Sequence, residues 1–545
     1  MKWSTHEVQN QVPELGDYNL YTADTALQEG VRREGASAHE ASLTEYGAWL
    51  GTAQAQALAR QANELEPRAE CFDPRGYRVD RVHYHPAWHV FMEKAFAQGM
   101  HCSAWESAGG GEQVARAASY LLHGQVEAGT LCPLTMTSAA IPLLRREALY
   151  DKLRPLLLSR DYDSSDAPAN EKTSMLVGMG MTEKQGGSDL RSVTTRAMPL
   201  GVGGRGNEYS LIGHKWFYSV PTSDAHLVLA THEEQHSCFY VPRFQPDGTL
   251  NRVHIQRLKN KLGNRSNASA EIELVEAYGV LVGEPGRGIA TLVEMASYTR
   301  LDCVLGSTAL MRQALVQALH HATHRQAFGR ALIGHPLMRA VLVDLALESE
   351  AATSLALRLA RAFEGDSALE SAYRRIITPA AKFWICKRAI GLTAECMEVW
   401  GGNGYIEDGP MPRLFREAPV NAIWEGSGNV MCLDVLRGLR REPELAGALI
   451  DALVSESADE PLLAQRAENL ATLFSADEAT LQGCARHIAQ WMVLLVQANL
   501  LRRYAPTEVA DAFISSRFGE QTLGLHGVSG HTAMAATLLQ RAWYE

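Results

Sequence analysis

Between Lys172 and Gly283 the texture of the chain changes. Short runs rich in β-branched and aromatic residues appear there: Met175-Leu176-Val177, Tyr209 to Ile212, His226 to Leu229, Ser237 to Val241 and Ala270 to Leu274. Glycine and proline separate them, which reads as an antiparallel β domain. On both flanks the spacing is helical. From about Thr25 to Asp163 the chain is rich in Ala, Leu, Glu and Arg, and Glu112 to Ala128 reads as an amphipathic helix with Val114, Ala117, Ala118, Leu121 and Leu122 on one face. Pro133 and the threonines after it are expected to end that pattern. Beyond Gly286, one apolar stripe runs through Leu310, Met311, Ala314, Leu315, Ala318, Leu319 and Ala322, and another through Leu342, Leu345 and Ala346. Such stripes on several long helices predict an antiparallel bundle. The expected fold class is therefore α+β: an N-terminal helical domain (1–170), a β domain (171–285), a helical bundle (286–441) and a helical C-terminal extension (442–545).

Composition narrows the class. With 46% hydrophobic and 21% charged residues the chain is ordinary globular material. Its net charge of −11 gives no overall attraction to nucleic acid or anionic membrane, so such a contact needs a local basic patch. The nine cysteines form no C-x-x-C pair, which fits reduced thiols in a cytosolic protein. Met1 to Tyr21 is polar and no long apolar run follows, so neither an export signal nor a membrane span is expected and the predicted location is cytoplasmic.

Several motifs invite a chemical reading. Gly201-Val-Gly203-Gly-Arg-Gly206 matches G-x-G-x-x-G, but a strand-like run follows it where a dinucleotide site needs a helix, so it reads as a hairpin loop. His83, His85 and His89, and the pair His320 and His324, have no obvious carboxylate or thiolate partner, and no metal site is expected. The loop Met181-Thr182-Glu-Lys-Gln-Gly186-Gly187-Ser188-Asp189 is dense in hydroxyl and backbone N–H donors, which suits either a plain turn or a flat polar heterocycle. Lys215-Trp216-Phe217-Tyr218-Ser219 reads as a core strand or as a stacking wall for an aromatic cofactor. In Ile423-Trp424-Glu425-Gly426-Ser427-Gly428-Asn429 a lone carboxylate stands between a large ring and glycines that admit a close ligand. Trp424 lowers the polarity beside Glu425, which suits that carboxylate to act as a base. The plainer reading is a helix start capped by Ser427 or Asn429.

Taken in order, the blocks M-T-E-x-x-G-G-S-D, G-x-K-x-x-x-S, K-L-G-x-R-S (Lys261 to Ser266), R-x-x-F-G (Arg325 to Gly329), G-G-x-G-Y (Gly401 to Tyr405) and E-G-S-G-N resemble the acyl-CoA dehydrogenase superfamily, an isovaleryl-CoA dehydrogenase-like pattern. The N-terminal Trp3-Ser-Thr5-His6, His85-Pro86-Ala87-Trp88-His89, Pro419-Val420-Asn421 and the extra C-terminal hundred residues are similar to its AidB-type adaptive-response branch. The resemblance implies a barrel-like middle domain, a four-helix bundle and a noncovalent FAD. It places Met181, Thr182 and Ser188 on the flavin side, with Phe217, Tyr218 and Ser219 lining the isoalloxazine. Arg325 and Phe328, with Gly401 and Gly402 of a neighbouring subunit, would meet the pyrophosphate and adenosine end. Ile423, Trp424, Ser427 and Asn429 complete the cofactor site, and Glu425 is the catalytic base. It further implies a homo-oligomer, usually a tetramer, that dehydrogenates an acyl-CoA thioester at Cα and Cβ. The thioester oxygen would be met by the backbone N–H of the base residue and a flavin hydroxyl. Some branches carry the base just before the arginine at Arg300; Thr299 stands there and cannot serve.

Trp424 stands where many family members carry a smaller tyrosine, and His335 replaces a common glutamine, so the AidB-type resemblance implies weak dehydrogenase activity. That branch also implies binding of double-stranded DNA and protection against alkylation damage. The extension argues against it as a clamp: from Gly438 to Glu545 eight arginines face thirteen Asp and Glu, a balance of 8 − 13 = −5. The best local patch is Arg437, Arg440 and Arg441 on one helix face; its plainer reading is a solvated helix end. A flavin oxidase is a third reading, which Glu425 disfavours for the nitroalkane type because that chemistry uses an Asp base.

Overall fold

The computed structural model describes residues 3–106, 110–519, 524–528 and 534–543. They form two compact units, Gln54–Asp302 and Met1–Ala53 with Cys303–Glu545. This division does not follow the four expected segments, because the first fifty residues group with the bundle and extension.

In the first unit, the helices Pro86–Ala97, Glu112–Gly124, Leu131–Leu144 and Tyr150–Leu157 precede a seven-stranded sheet. Two expectations are corrected here. The helix Glu112–Gly124 is buried on every side from Gln113 to Gly124. Its polar residues do not mark a wet face because they are paired inside: Arg116 donates two bonds, of 2.8 and 2.7 Å, to Asp302. Pro133 starts a helix instead of ending one. It sits in the first turn of Leu131–Leu144, where no backbone N–H is needed as a donor. A small hairpin, Arg68–Phe72 with Arg78–His83, lies in the region read as wholly helical.

The sheet strands are β1 (Val177–Gly180), β2 (Arg196–Pro199), β3 (Glu208–Ser219), β4 (Ala225–His232), β5 (Gln235–Pro242), β6 (Val253–Leu258) and β7 (Ser269–Val282). Pairing runs β4–β2–β3–β7–β5 and returns to β4, which closes a barrel, with β1 added beside β4 and β6 beside β7. The sheet is not purely antiparallel: β1 and β2 both run parallel to β4. The barrel interior holds Tyr209, Leu211, Tyr218, Val228, Phe239, Ile272 and Leu281. A second core joins β1, β4 and β5 to the helices through Met136, Leu144, Met175, Leu227 and Leu292. The G-x-G-x-x-G run is the connection between β2 and β3, antiparallel neighbours, as the hairpin reading required.

The second unit is helical. Its long elements are α1 (Gly288–His324, which begins in the first unit), α2 (Pro336–Ala362), α3 (Thr378–Val399), α4 (Met411–Asn421) and α5 (Gly428–Arg441). A turn of π-helix, Tyr373–Ile377, leads into α3, where Pro379 in the first turn lacks an N–H. Among its described residues the extension adds five helices, of which α6 (Glu478–Tyr504) packs on α2, α3 and α5. Charge ties it down further. Buried Arg517 on the helix Thr507–Phe518 pairs with Asp344 and, at 2.9 Å, with Glu348, both on α2; Arg388 of α3 also holds Glu348 at 2.9 Å. Among the described residues no helix is long and apolar enough to cross a membrane.

Candidate functional site

The residues singled out from the sequence divide between the two units. In the barrel unit the loop after β1 carries Met181, Thr182 and Ser188. It is pinned from inside. Glu183 is fully buried and accepts from Lys215 Nζ at 2.9 Å, from the backbone and hydroxyl of Thr194, and from those of Thr195. Burial opposes the charged form of Glu183, yet the Lys215 ammonium and these donors hold its carboxyl well below the usual range. With the loop so fixed, Ser188 is exposed and Thr182 half-buried. The Thr182 carbonyl accepts from the Trp216 N–H at 2.8 Å, which joins the loop to β3.

β3 presents its aromatics unevenly. A register shift between Lys215 and Tyr218 breaks the alternation, so Trp216 and Phe217 both lie toward the outside. Phe217 is 53% exposed, with Lys259 Nζ 4.7 Å from its ring centroid. Tyr218 corrects the expectation that it lines a flavin. Its side chain is 1% exposed, lies in the barrel core and stacks on His226 at 3.7 Å. Ser219 is half-buried, and its carbonyl accepts from His226 Nε2 at 3.0 Å.

In the helical unit the R-x-x-F-G block forms a tight turn after α1. Phe328 is 97% exposed and has φ of 52°, a conformation that L-residues avoid. Asn10 holds this turn: its Nδ2 donates to the Gln326 carbonyl, its Oδ1 accepts from the Gln326 N–H, both at 2.8 Å, and its carbonyl accepts from Arg325. Sequence reading missed Asn10. Gly401 has φ of 61° and ψ of −141°, and at both Gly401 and Gly402 a Cβ would meet open space.

Glu425 lies between α4 and α5. Its φ is 59°, a strained value for a non-glycine residue. Buried Lys382 on α3 holds the segment from within: its Nζ donates to the Trp424 carbonyl at 2.6 Å and to the Gly426 carbonyl. Trp424 is half-buried, with its Nε1 donating to Asn421 Oδ1 at 3.0 Å, and Ile423 is exposed. Ser427 stands at the start of α5, but its side chain makes no capping bond. Asn429 Oδ1 instead accepts from Arg486 of α6 at 2.9 Å, so the extension reaches the motif. Neither residue plays the capping role of the plainer reading. Lys382 and Arg486 carry no motif and were not expected.

Each unit exposes groups of kinds that could meet a flat aromatic cofactor. The barrel unit offers the Phe217 ring and the Thr182 and Ser188 hydroxyls. The helical unit offers the Phe328 ring, open glycines at 401 and 402, and the Ser427 hydroxyl. Other candidates fare differently. His320 and His324 bond to the carbonyls of Pro13 and His320, and among the described residues no group of three His, Cys, Asp or Glu could hold a metal. Arg437 and Arg440 are exposed but ion-paired, at 3.0 Å to Asp434 and 2.9 Å to Glu478; Arg441 is exposed.

Residues 10–164 match the family described as adaptive response protein AidB N-terminal domain. Residues 178–277 match the acyl-CoA dehydrogenase middle domain, and residues 286–440 the acyl-CoA dehydrogenase C-terminal domain. AidB from Escherichia coli (strain K12) is 48% identical over 518 residues, 94% of each chain. The solved structure of Caenorhabditis elegans ACDH-11 in complex with C11-CoA superposes with a TM-score of 0.86 at 26% identity, covering 99% of this chain and 98% of that one. An acyl-CoA dehydrogenase from Bacillus anthracis, solved complexed with FAD, shares the fold with a TM-score of 0.66 at 18% identity, covering 84% and 90%.

Proposed function

The chain belongs to the acyl-CoA dehydrogenase family, in its AidB-like branch, and from that premise we propose that it is an FAD-dependent oxidoreductase that dehydrogenates an acyl-CoA thioester between Cα and Cβ, with Glu425 as the base. The observation that carries this reading is Glu425 itself, held at φ 59° by a segment whose two neighbouring carbonyls are anchored on one buried ammonium. Strain of this kind costs on the order of 1–3 kcal/mol and persists where a site needs one fixed geometry. The relatives solved with C11-CoA and with FAD support the same classes of ligand for this chain.

FAD, when bound, supplies the acceptor for the hydride that leaves Cβ. The chain's own groups do the rest. In this reading Met181, Thr182, Ser188, Phe217 and Ser219 of the barrel unit would meet the flavin, Ile423, Trp424, Ser427 and Asn429 of the helical unit would complete its binding, and Arg325 and Phe328, with Gly401 and Gly402 of a neighbouring subunit, would meet the pyrophosphate and adenosine end. Glu425 takes the α-proton, and its backbone N–H meets the thioester oxygen as negative charge gathers there. The exposed rings of Phe328 and Tyr405 in the helical unit, 97% and 81% accessible, support assembly into a homo-oligomer, which we take to be a tetramer. The likeness to AidB leaves double-stranded DNA as the second candidate partner, with Arg437, Arg440 and Arg441 as its patch.

The test is anaerobic mixing of the FAD-bearing protein with a panel of straight-chain and branched acyl-CoAs. Bleaching of the flavin's visible band by one of them supports the reading. A protein that takes up no FAD, or a flavin that no acyl-CoA bleaches, overturns it.

A further inference from the structure

We propose that Lys382 is a positioning residue that sets the direction and the donor strength of the Glu425 backbone N–H; the proposal rests on the reading of Glu425 just given. Lys382 is 1% exposed, and among the described residues it forms no salt bridge. Its Nζ is satisfied by two backbone carbonyls, those of Trp424 and Gly426. A buried ammonium without a carboxylate is a costly arrangement, and a long apolar side chain would fill the same space without that cost. What the charge does is therefore found at those two carbonyls.

The Trp424 carbonyl and the Glu425 N–H belong to one peptide group. That group is planar and trans, so its oxygen and its hydrogen point in opposite directions. Anchoring the oxygen inward on Lys382, at 2.6 Å, turns the Glu425 N–H away from the ammonium. A hydrogen bond from a charged donor also draws electron density onto the carbonyl oxygen, which strengthens the N–H across the peptide bond as a donor. The second bond, to Gly426, fixes the far side of Glu425, so the residue stays in its left-handed conformation. The turn of π-helix before α3 and Pro379 set where Lys382 falls on the helix. During proton removal the thioester oxygen gains charge, and a stronger N–H at that point lowers the barrier more than it tightens ground-state binding.

The test reads that amide directly. Label the protein with 13C-carbonyl tryptophan and 15N-glutamate. Only two peptide groups then give a carbonyl-to-nitrogen correlation, because Trp-Glu occurs only at 105–106 and 424–425. The Glu425→Gln variant assigns the second. In Lys382→Met the 424–425 signal should move upfield while 105–106 stays, and kcat for the best acyl-CoA should fall about 10- to 100-fold with KM changed less than about threefold. If Lys382→Met does not fold, Lys382→Gln, a neutral donor, is compared in the same way and should show a smaller shift of the same sign. An unmoved 424–425 signal overturns the proposal, as does a moved signal with unchanged kcat. A wild-type flavin that no acyl-CoA bleaches would instead sink the dehydrogenase reading, while the signal would still decide what Lys382 does to the amide.

Discussion

Lys215 Nζ lies 2.9 Å from Glu183 Oε1, and neither side chain is accessible to solvent. The pair joins β3 to the loop that carries Thr182 and Ser188, so it fixes one wall of the candidate site from behind. Removing one partner leaves the other charge buried and alone. Lys215→Met should destabilise the protein by about 3–5 kcal/mol and lower its FAD content. The double variant Lys215→Met with Glu183→Gln should recover part of that loss, because no bare charge remains. Thermal unfolding and the flavin-to-protein absorbance ratio check both points; a single variant as stable as wild type would show that the pair does not hold the loop.

Glu425→Gln should keep the flavin and lose its reduction by acyl-CoA by about 10²–10⁴-fold, the usual contribution of a general base. The amide keeps the size of the side chain and removes its basicity. Rapid-mixing measurements of flavin bleaching decide it. An undiminished rate would place the base elsewhere.

How far the sequence could lead is clearest around these same residues. Glu425, Phe217 and Phe328 stand in short ordered blocks, and each block has the local chemistry that its proposed role requires. Tyr218 sits in such a block too, yet it faces the barrel core. The irregularity between Lys215 and Tyr218 switches faces, and a two-residue period cannot reveal a bulge. Lys382 lies 42 residues from the Trp424 carbonyl that it holds, and Asn10 lies 316 residues from Gln326. Nothing local marks either one, because a buried lysine and a surface asparagine look alike until the chain is folded. The helix Glu112–Gly124 misled for the same reason: its spacing reads as amphipathic, yet its polar Arg116 is buried on Asp302.

Acid should loosen the C-terminal extension. Burial by itself would raise the Glu348 carboxyl, but Arg388 and Arg517 hold it down at about 2. Asp344 is likewise held below the usual carboxylate range, where His526, Arg517 and the Gly527 N–H together outweigh burial. A depressed carboxylate binds fewer protons when folded than when unfolded. Its stabilisation is therefore complete above the ordinary carboxylate pKa of about 4.5 and is lost as pH falls toward about 2. Urea midpoints measured from pH 6 to pH 3 should be flat at first and then fall. Arg517→Met should lower the midpoint at pH 6 and flatten the fall; an unchanged slope would remove the network from the explanation.

Binding to duplex DNA should be weak. Arg437 and Arg440 are already paired with Asp434 and Glu478, and the extension is net acidic. Even if Arg437, Arg440 and Arg441 each neutralised one phosphate, the slope of log affinity against log salt would reach only about −3 for each chain. A titration of labelled duplex between low and moderate salt measures that slope. A steeper value would reveal a basic surface other than this one, whereas loss of all binding in the Arg437→Ala, Arg440→Ala, Arg441→Ala variant would locate it here.

Asn10 offers a test of the Arg325–Gly329 turn in the helical unit that leaves its motif residues untouched. Three hydrogen bonds join Asn10 to Arg325 and Gln326, two of them through its side chain. Its φ of 54° is a value that asparagine tolerates better than most residues. Asn10→Ala removes both side-chain bonds and adds backbone strain, whereas Asn10→Gly removes the bonds and relieves the strain. If the turn carrying Phe328 needs those bonds to hold its strained backbone, both variants should release FAD more readily, by about 5- to 30-fold in Kd for a loss of about 1–2 kcal/mol. The alanine variant should also be the less stable of the two. Equilibrium dialysis with FAD separates the effects: equal affinity in wild type and Asn10→Gly would mean that the turn keeps its shape unaided, and that the N-terminal segment serves stability alone.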